Sequence, residues 1–171
     1  MEVALNAPRD KSPVRIGLLG CGTVGGGVLR LIEENRDSLA ARIGAPLEIR
    51  RVLVREPAKE RVPECNPAWI TADPTVLLGD EQLDVVVEVM GGEEPAKQYI
   101  ERAISNGKSV VTANKLLIAK HGVRLIEQAT ARGVDLAFEA SVGGGIPLIR
   151  TLRESLVSDR VDSVHAILNG T

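Results

Sequence analysis

The sequence predicts an α/β fold, a doubly wound parallel sheet, on three observations. Runs dense in Val, Ile and Leu, at 14–19, 47–54 and 84–89, alternate with segments whose apolar residues recur at helical spacing. That alternation runs from Val14 to Glu139, and in one sheet it demands right-handed crossovers between parallel strands. The third observation is the turn Gly20-Cys21-Gly22-Thr23-Val24-Gly25, set between the first strand and the first helix. In its G-x-G-x-x-G spacing the glycines serve a tight turn, close backbone approach to a pyrophosphate, and close packing of helix on strand. The helix that follows aims unpaired N–H groups and its positive end at the phosphates. The expected domain is Rossmann-like and binds a dinucleotide. The plain alternative is a glycine-rich structural turn in a chain that has 17 glycines.

Each element follows in order. Val14 to Leu19 is the first strand; Val24, Val28, Leu31 and Ile32 then mark a helix to about Ser38, with Glu33, Glu34, Arg36 and Asp37 mostly on its other face. Gly44 and Pro46 punctuate before the second strand, 47–54. Residues 57–74, rich in proline and charge and without a clean period, read as mostly loop, and 75–79 as a short helix. The β-branched run 84–89 is a strand buried on both faces. Gly91-Gly92 breaks the chain, and a helix begins near Pro95, carries Ala96, Tyr99, Ile100, Ala103 and Ile104, and stops at Gly107. A strand at 109–112, a helix through Val123, Ile126 and Ala129 that stops at Gly133, and a strand at 135–139 complete the alternation. Beyond it lie a glycine loop, 141–147, a helix with Leu148, Leu152 and Leu156, and a strand over 161–169.

Length and composition bound the function. The 171 residues suffice for one full domain and part of another. Residues 1–12 read as a disordered leader, 13–140 as the nucleotide-binding domain, and 141–171 as a hinge and the truncated beginning of a second, α+β domain. An unpaired strand at the end of a chain is a liability that a complete protein covers. A net charge of −2 and only three aromatic residues (Trp69, Tyr99, Phe138) argue against a nucleic-acid partner. Apolar runs too short to span a bilayer and a charged leader argue against a membrane or secretory protein, so the chain is expected in the cytoplasm. Cys21 and Cys65 make neither a disulfide framework nor a metal set, and read as free thiols.

Several residues are candidates for chemistry. At the end of the second strand an arginine accommodates a cofactor's 2′-phosphate, whereas an acid binds the ribose 2′-hydroxyl. If the strand ends at Val54, Arg55 favours NADP; a shift of one residue gives the place to Glu56 and favours NAD. Both residues also fit a solvated ion pair. Gly91 and Gly92 follow the most buried strand, where ligands sit in open α/β sheets, and would let the backbone pass close to a ribose or nicotinamide; a plain turn fits equally. Lys115 follows another strand and could orient a substrate oxygen or carboxylate, or be a surface charge. Glu139 with the loop 142–147 offers a carboxylate and main-chain carbonyls, hard donors that suit a hard cation, and composition alone fits a hinge as well. Lys120 and His121 read as helix surface, and His165 receives no role.

Together these stretches resemble homoserine dehydrogenase. The resemblance covers nearly all of 14–171: the glycine turn, Val87-Glu88-Val89-Met90-Gly91-Gly92, Val111-Thr112-Ala113-Asn114-Lys115, and Phe138-Glu139-Ala140-Ser141-Val142-Gly143-Gly144-Gly145-Ile146-Pro147. Asn169-Gly170-Thr171 matches an Asn-Gly-Thr that opens the family's catalytic domain. The resemblance implies reduction of L-aspartate 4-semialdehyde to L-homoserine with NADPH or NADH, on the branch to threonine, methionine and isoleucine. It implies that Thr23, Val24 and the glycines around them hold the pyrophosphate, and that Lys115 lies near nicotinamide and substrate. It further implies a structural sodium or potassium ion held by Glu139 and by main-chain oxygens of Val142, Gly144 and Ile146. The acid–base lysine and the acids that bind the substrate amine would lie beyond Thr171, so the 171 residues alone are expected to bind cofactor without turnover. The full-length form is implied to be a homodimer associated largely through that further part. Two alternatives stand beside this reading: another NAD(P)-dependent dehydrogenase, and a non-catalytic nucleotide-binding or redox-sensing module.

Overall fold

A computed structural model describes residues 12–165. The first apolar run forms β1 (Val14–Leu19), followed by α1 (Thr23–Glu34), α2 (Arg36–Ile43) and β2 (Leu47–Leu53). Then come β3 (Ile70–Thr71), α3 (Pro74–Leu78), β4 (Val85–Glu88), α4 (Ala96–Ser105), β5 (Ser109–Thr112), α5 (Lys115–Arg132) and β6 (Leu136–Ala137). The six strands lie in the order β3-β2-β1-β4-β5-β6, with every neighbouring pair parallel. The chain therefore steps outward from β1 to β3 and returns to β4 on the other side of β1. Where the order reverses, the connections leave the carboxyl ends in opposite directions and open a crevice. The predicted fold class is the observed one.

The two-residue period of the strands divides the core into two layers. Ile16 and Leu18 of β1 join Leu29 of α1, Ile49, Val52 and Cys65 in one cluster. Leu19 joins Leu77 and Leu78 of α3, Ile100 and Ile104 of α4, and Leu117 and Leu125 of α5 in the other. Each fully buried leucine contributes about 1.5–3 kcal/mol relative to exposure, so these layers hold the helices against the two faces of the sheet. Gly17 of β1 faces the second layer, where an added Cβ would lie 2.7 Å from Leu83 Cδ1 and 3.0 Å from Leu77 Cδ2, so a side chain there would force those leucine ends to shift.

Several expectations need correction. The first helix does not run to Ser38 unbroken, because Asn35 interrupts it: its side-chain amide donates to the Leu31 carbonyl at 2.9 Å and its backbone N–H to the same oxygen at 3.1 Å. A side chain that competes for the helix's own acceptor ends the helix, and α2 begins at the next residue. Within 57–74, read as mostly loop, the two-residue β3 pairs Ile70 with Val52 and Thr71 with Leu53. Two residues carry no readable period. α5 begins eight residues before Val123, which is 75% exposed; its buried residues are Leu117, Gly122, Leu125 and Ala129. β6 is shorter than 135–139, since Phe138 leaves extended geometry and Glu139–Ser141 forms a tight helical turn.

The helix expected around Leu148, Leu152 and Leu156 forms over 149–155: the Leu152 N–H donates to the Leu148 carbonyl at 3.1 Å, and the coil widens over Thr151–Ser155, where the Leu156 N–H donates to the Thr151 carbonyl at 3.0 Å. The strand expected over 161–169 is not formed over 161–165, which are exposed and without strand partners among the described residues; the rest of it, with 169–171, lies outside them. So does nearly all of the 1–12 leader. No helix among the described residues is long and apolar enough to cross a membrane.

Candidate functional site

The glycine turn sits at the carboxyl end of β1, beside the reversal of strand order. Its three glycines separate by geometry into three roles. Gly20 adopts φ +99°, a left-handed conformation that other residues rarely take, and its N–H donates to the Leu53 carbonyl of β2 at 2.9 Å. A Cβ there would also press on Val89 O at 3.1 Å. Gly25 is walled in: an added Cβ would lie 2.3 Å from the Gly20 carbonyl oxygen. Gly22 is the opposite, with nothing within 4 Å of its would-be Cβ. The turn thus bends at Gly20, seats α1 on the strand end at Gly25, and leaves open space at Gly22.

α1 starts from this open side without a cap. Gly22 precedes it with no side chain to accept the first N–H groups, and the first turn carries no acidic residue. Thr23 and Val24 are exposed. The first N–H groups of a helix have no partner within it, and with the helix dipole they form an anion site.

On the β2 side the pairing ladder ends at Leu53, and the Val54 N–H still donates to the Thr71 carbonyl at 2.9 Å. Arg55 is the first residue past the sheet, and Arg55 and Glu56 are both exposed. Their neighbour Arg61 folds back so that Nη2 donates to the Glu56 carbonyl at 2.7 Å.

On the β4 and β5 side, a hydrogen-bonded circuit joins the strand ends. Glu88, the last residue of β4, is fully buried. Its Oε1 accepts from the Met90 N–H at 2.8 Å and the Gly91 N–H at 3.3 Å, and its Oε2 accepts from the Thr112 hydroxyl at 2.5 Å. Thr112 Oγ1 in turn accepts from the Asn114 N–H at 3.0 Å. The Asn114 side chain donates to the Gly92 carbonyl at 2.6 Å and accepts from the Leu117 N–H at 3.2 Å, which caps α5. Lys115, exposed, is the first residue of that helix. Gly91 and Gly92 both have left-handed φ, +73° and +76°.

Sequence reasoning assigned no role to Glu88, Thr112 or Asn114. The available signal was a carboxylate inside an otherwise β-branched run, which is rarely buried without partners. Glu93, also unassigned, accepts from the Lys120 ammonium at 2.5 Å and pairs with His121 Nε2 at 2.8 Å. The Lys120 and then the His121 hydrogen bonds hold its carboxyl below the usual range. These bonds pin the stretch after Gly92 to the surface of α5, where Lys120 and His121 were expected.

The glycine turn, the 89–92 turn and the start of α5 are thereby in one place. Gly20 packs against Val89 and Met90, and Gly92 is bonded to Asn114. The tight turn Glu139–Ser141 joins them, because the Ser141 hydroxyl donates to the Thr112 carbonyl at 2.8 Å. Glu139 is engaged there as a cap: Oε1 accepts from the Ile149 N–H at 3.1 Å and Oε2 from the Arg150 N–H at 2.7 Å. Ile146 O accepts from the Leu148 N–H at 2.9 Å, while the carbonyls of Val142 and Gly144 accept no backbone bond among the described residues. Among the described residues no three His, Cys, Asp or Glu side chains are grouped to hold a metal ion. A cation at this loop would therefore rest mainly on carbonyl oxygens, a donor set that suits a hard ion.

Residues 20–139 match the family model described as the homoserine dehydrogenase NAD-binding domain. The chain belongs to the homoserine dehydrogenase family. Curated relatives agree: it is 45% identical to the homoserine dehydrogenase of Bacillus subtilis over 158 residues, 92% of this chain and 36% of that protein. It is 48% identical to that of Corynebacterium glutamicum over 160 residues, 94% of this chain and 36% of the relative. Among solved structures it resembles the homoserine dehydrogenase of Thiobacillus denitrificans, with a TM-score of 0.80 and 42% identity over 86% of this chain and 34% of the other. The chain thus spans about a third of the length of these relatives, and the third that it spans carries the family's NAD(P)-binding fold.

Proposed function

We propose that the crevice between β1 and β4 binds NADP(H), and that this chain is the nucleotide-binding third of an enzyme reducing L-aspartate 4-semialdehyde to L-homoserine. The observation that carries the reading is the glycine turn, open at Gly22 and closed at Gly25, leading into an uncapped helix at the reversal of strand order. The pyrophosphate lies over Gly22 and accepts from the N–H groups of Thr23 and Val24. Arg55, first past the sheet, pairs with the 2′-phosphate through charge-assisted bonds, which favours NADP over NAD. Gly91 and the start of α5 bound the nicotinamide end, and Lys115 presents its ammonium to the substrate oxygen or carboxylate there.

When bound, the cofactor supplies the hydride; the residues of this chain contribute orientation and electrostatics. The acids that bind the substrate amine and the acid–base lysine come from the part of the protein beyond this chain, as does most of the homodimer contact. A sodium or potassium ion at Glu139 and the carbonyls of Val142, Gly144 and Ile146 would stiffen the link toward that part. The hard oxygen donors there are compatible with such an ion. Glu139 keeps both oxygens on N–H groups, and each oxygen retains a lone pair with which it could hold such an ion.

Calorimetric titration of the chain with NADPH and with NADH, repeated on Arg55→Ala, tests the reading. Tighter binding of NADPH, with the advantage lost in the variant, supports it. Equal binding of both cofactors transfers the specificity away from Arg55, and binding of neither removes the site.

A further inference from the structure

We propose that Glu88 is a positioning residue for the nicotinamide end of the cofactor, holding the 89–92 turn and the Lys115-bearing start of α5 in one register. The proposal rests on the dinucleotide reading above. Glu88 is fully buried, yet every contact of its carboxylate is as an acceptor, from Met90 N–H, Gly91 N–H and the Thr112 hydroxyl. The Thr112 hydroxyl has one proton. Because its oxygen already accepts from the Asn114 N–H, that proton is directed to Glu88. The bonds therefore run one way, from the start of α5 through Thr112 to Glu88. The Asn114 amide returns from α5 to the turn through the Gly92 carbonyl. The circuit is closed, and Glu88 is its terminal acceptor.

This placement separates the two halves of the site. In a sheet of this order each half of the dinucleotide lies over one set of three strands. The glycine turn and Arg55 belong to the β1–β3 side, and nothing in the circuit touches Arg55 or the open space at Gly22. The circuit belongs to β4 and β5 and meets the glycine turn where Gly20 packs against Val89 and Met90. Val89 is held there by its own N–H bond to the Leu19 carbonyl at 3.0 Å, outside the circuit. Loosening the circuit therefore moves Gly91 and Lys115 while α1 stays seated on the Gly20 carbonyl.

The substitution Glu88→Gln keeps the volume but replaces one acceptor oxygen with a donor. A glutamine that still accepts from Met90 and Gly91 turns its amide toward Thr112 Oγ1, which then has no acceptor for its proton. Two probes read the consequence: NADPH, and 2′-phospho-ADP-ribose, the same molecule without nicotinamide. The expected result is NADPH affinity lower by about 10-fold, the size of one lost hydrogen bond to a charged group, with 2′-phospho-ADP-ribose affinity essentially unchanged. The fluorescence enhancement of bound NADPH, which reports the surroundings of the nicotinamide, should fall as well.

Thr112→Val should reproduce the selective loss, Thr112→Ser should restore wild-type behaviour, and the losses of E88Q and T112V should not add. Circular dichroism establishes that each variant is folded; if E88Q is not, the Thr112 pair carries the test. Equal weakening of both probes would make Glu88 a general stabiliser and overturn the proposal, as would unchanged binding of both. If the unmutated chain bound neither probe, the dinucleotide reading itself would fail and the proposal with it.

Discussion

Adding one methyl group at Gly25 and at Gly22 should have two different consequences. At Gly25 the new Cβ would lie 2.3 Å from the Gly20 carbonyl oxygen, against an ordinary contact of 3.4–4 Å. The obstacle is backbone, so no side chain can turn away, and α1 must retreat from the end of β1 by about 1 Å. Overpacking of this kind costs roughly 1–3 kcal/mol of stability. The same retreat takes the first N–H groups of α1 away from the place proposed for the pyrophosphate. Hydrogen bonds to a charged group contribute about 1.5–3 kcal/mol each, so cofactor affinity should fall by about 10-fold or more for the first bond lost.

At Gly22 the Cβ meets nothing within 4 Å, and φ −88° is open to any residue. Gly22→Ala should melt within about 0.5 kcal/mol of wild type, as surface substitutions do, yet lose binding because its methyl stands where the phosphate must approach. Thermal melting by circular dichroism and calorimetric titration with NADPH measure both quantities on the same samples. A Gly22→Ala chain that binds NADPH normally would refute the reasoning, as would a Gly25→Ala chain of unchanged stability.

Other outcomes follow from the same geometry. Gly17→Ala adds a methyl that only the ends of Leu83 and Leu77 oppose, so it should lower stability by about 1–3 kcal/mol while NADPH affinity in the folded fraction stays unchanged; weakened binding would place Gly17 in the site. Glu93 has its carboxyl lowered from 4.5 by Lys120 and His121. A lowered folded-state value means its contribution is present above 4.5 and is lost as pH falls through the depressed value. Hydrogen exchange of the 93–97 amides should therefore accelerate in that acid window, and Glu93→Gln should remove the acceleration. Lys115→Ala should leave melting unchanged, since the side chain is exposed, and should lower turnover in the full-length enzyme more than NADPH affinity; the reverse pattern would assign Lys115 to cofactor binding.

The sheet was legible where strands are buried on both sides. Val14–Leu19 and Ser109–Thr112 form over the residues their composition marks, and the run 84–89 contains β4. β3 and β6 are two residues each, too short to show a period, and are made by pairing to a neighbour. The break between α1 and α2 turns on one side-chain hydrogen bond from Asn35, a competition that apolar spacing does not register. In the site, the glycines were readable because backbone conformation and close approach demand that residue type. The circuit of Glu88, Thr112 and Asn114 was not, because its bonds join residues 22 and 24 apart that only the parallel pairing of β4 and β5 brings together. The block 138–147 was readable as oxygen donors, whereas the engagement of Glu139 by two N–H groups depends on the return of the chain at 149–150.

The central claim is that a dinucleotide lies across the carboxyl ends of β1 and β4. Titrating the 15N-labelled chain with NADP+ and following its amide resonances tests this most directly. The account predicts shifts concentrated at residues 20–26, 54–56, 89–92 and 114–115, with the largest at Gly22, Thr23 and Val24. Shifts confined to other surfaces, or none at millimolar NADP+, would contradict it.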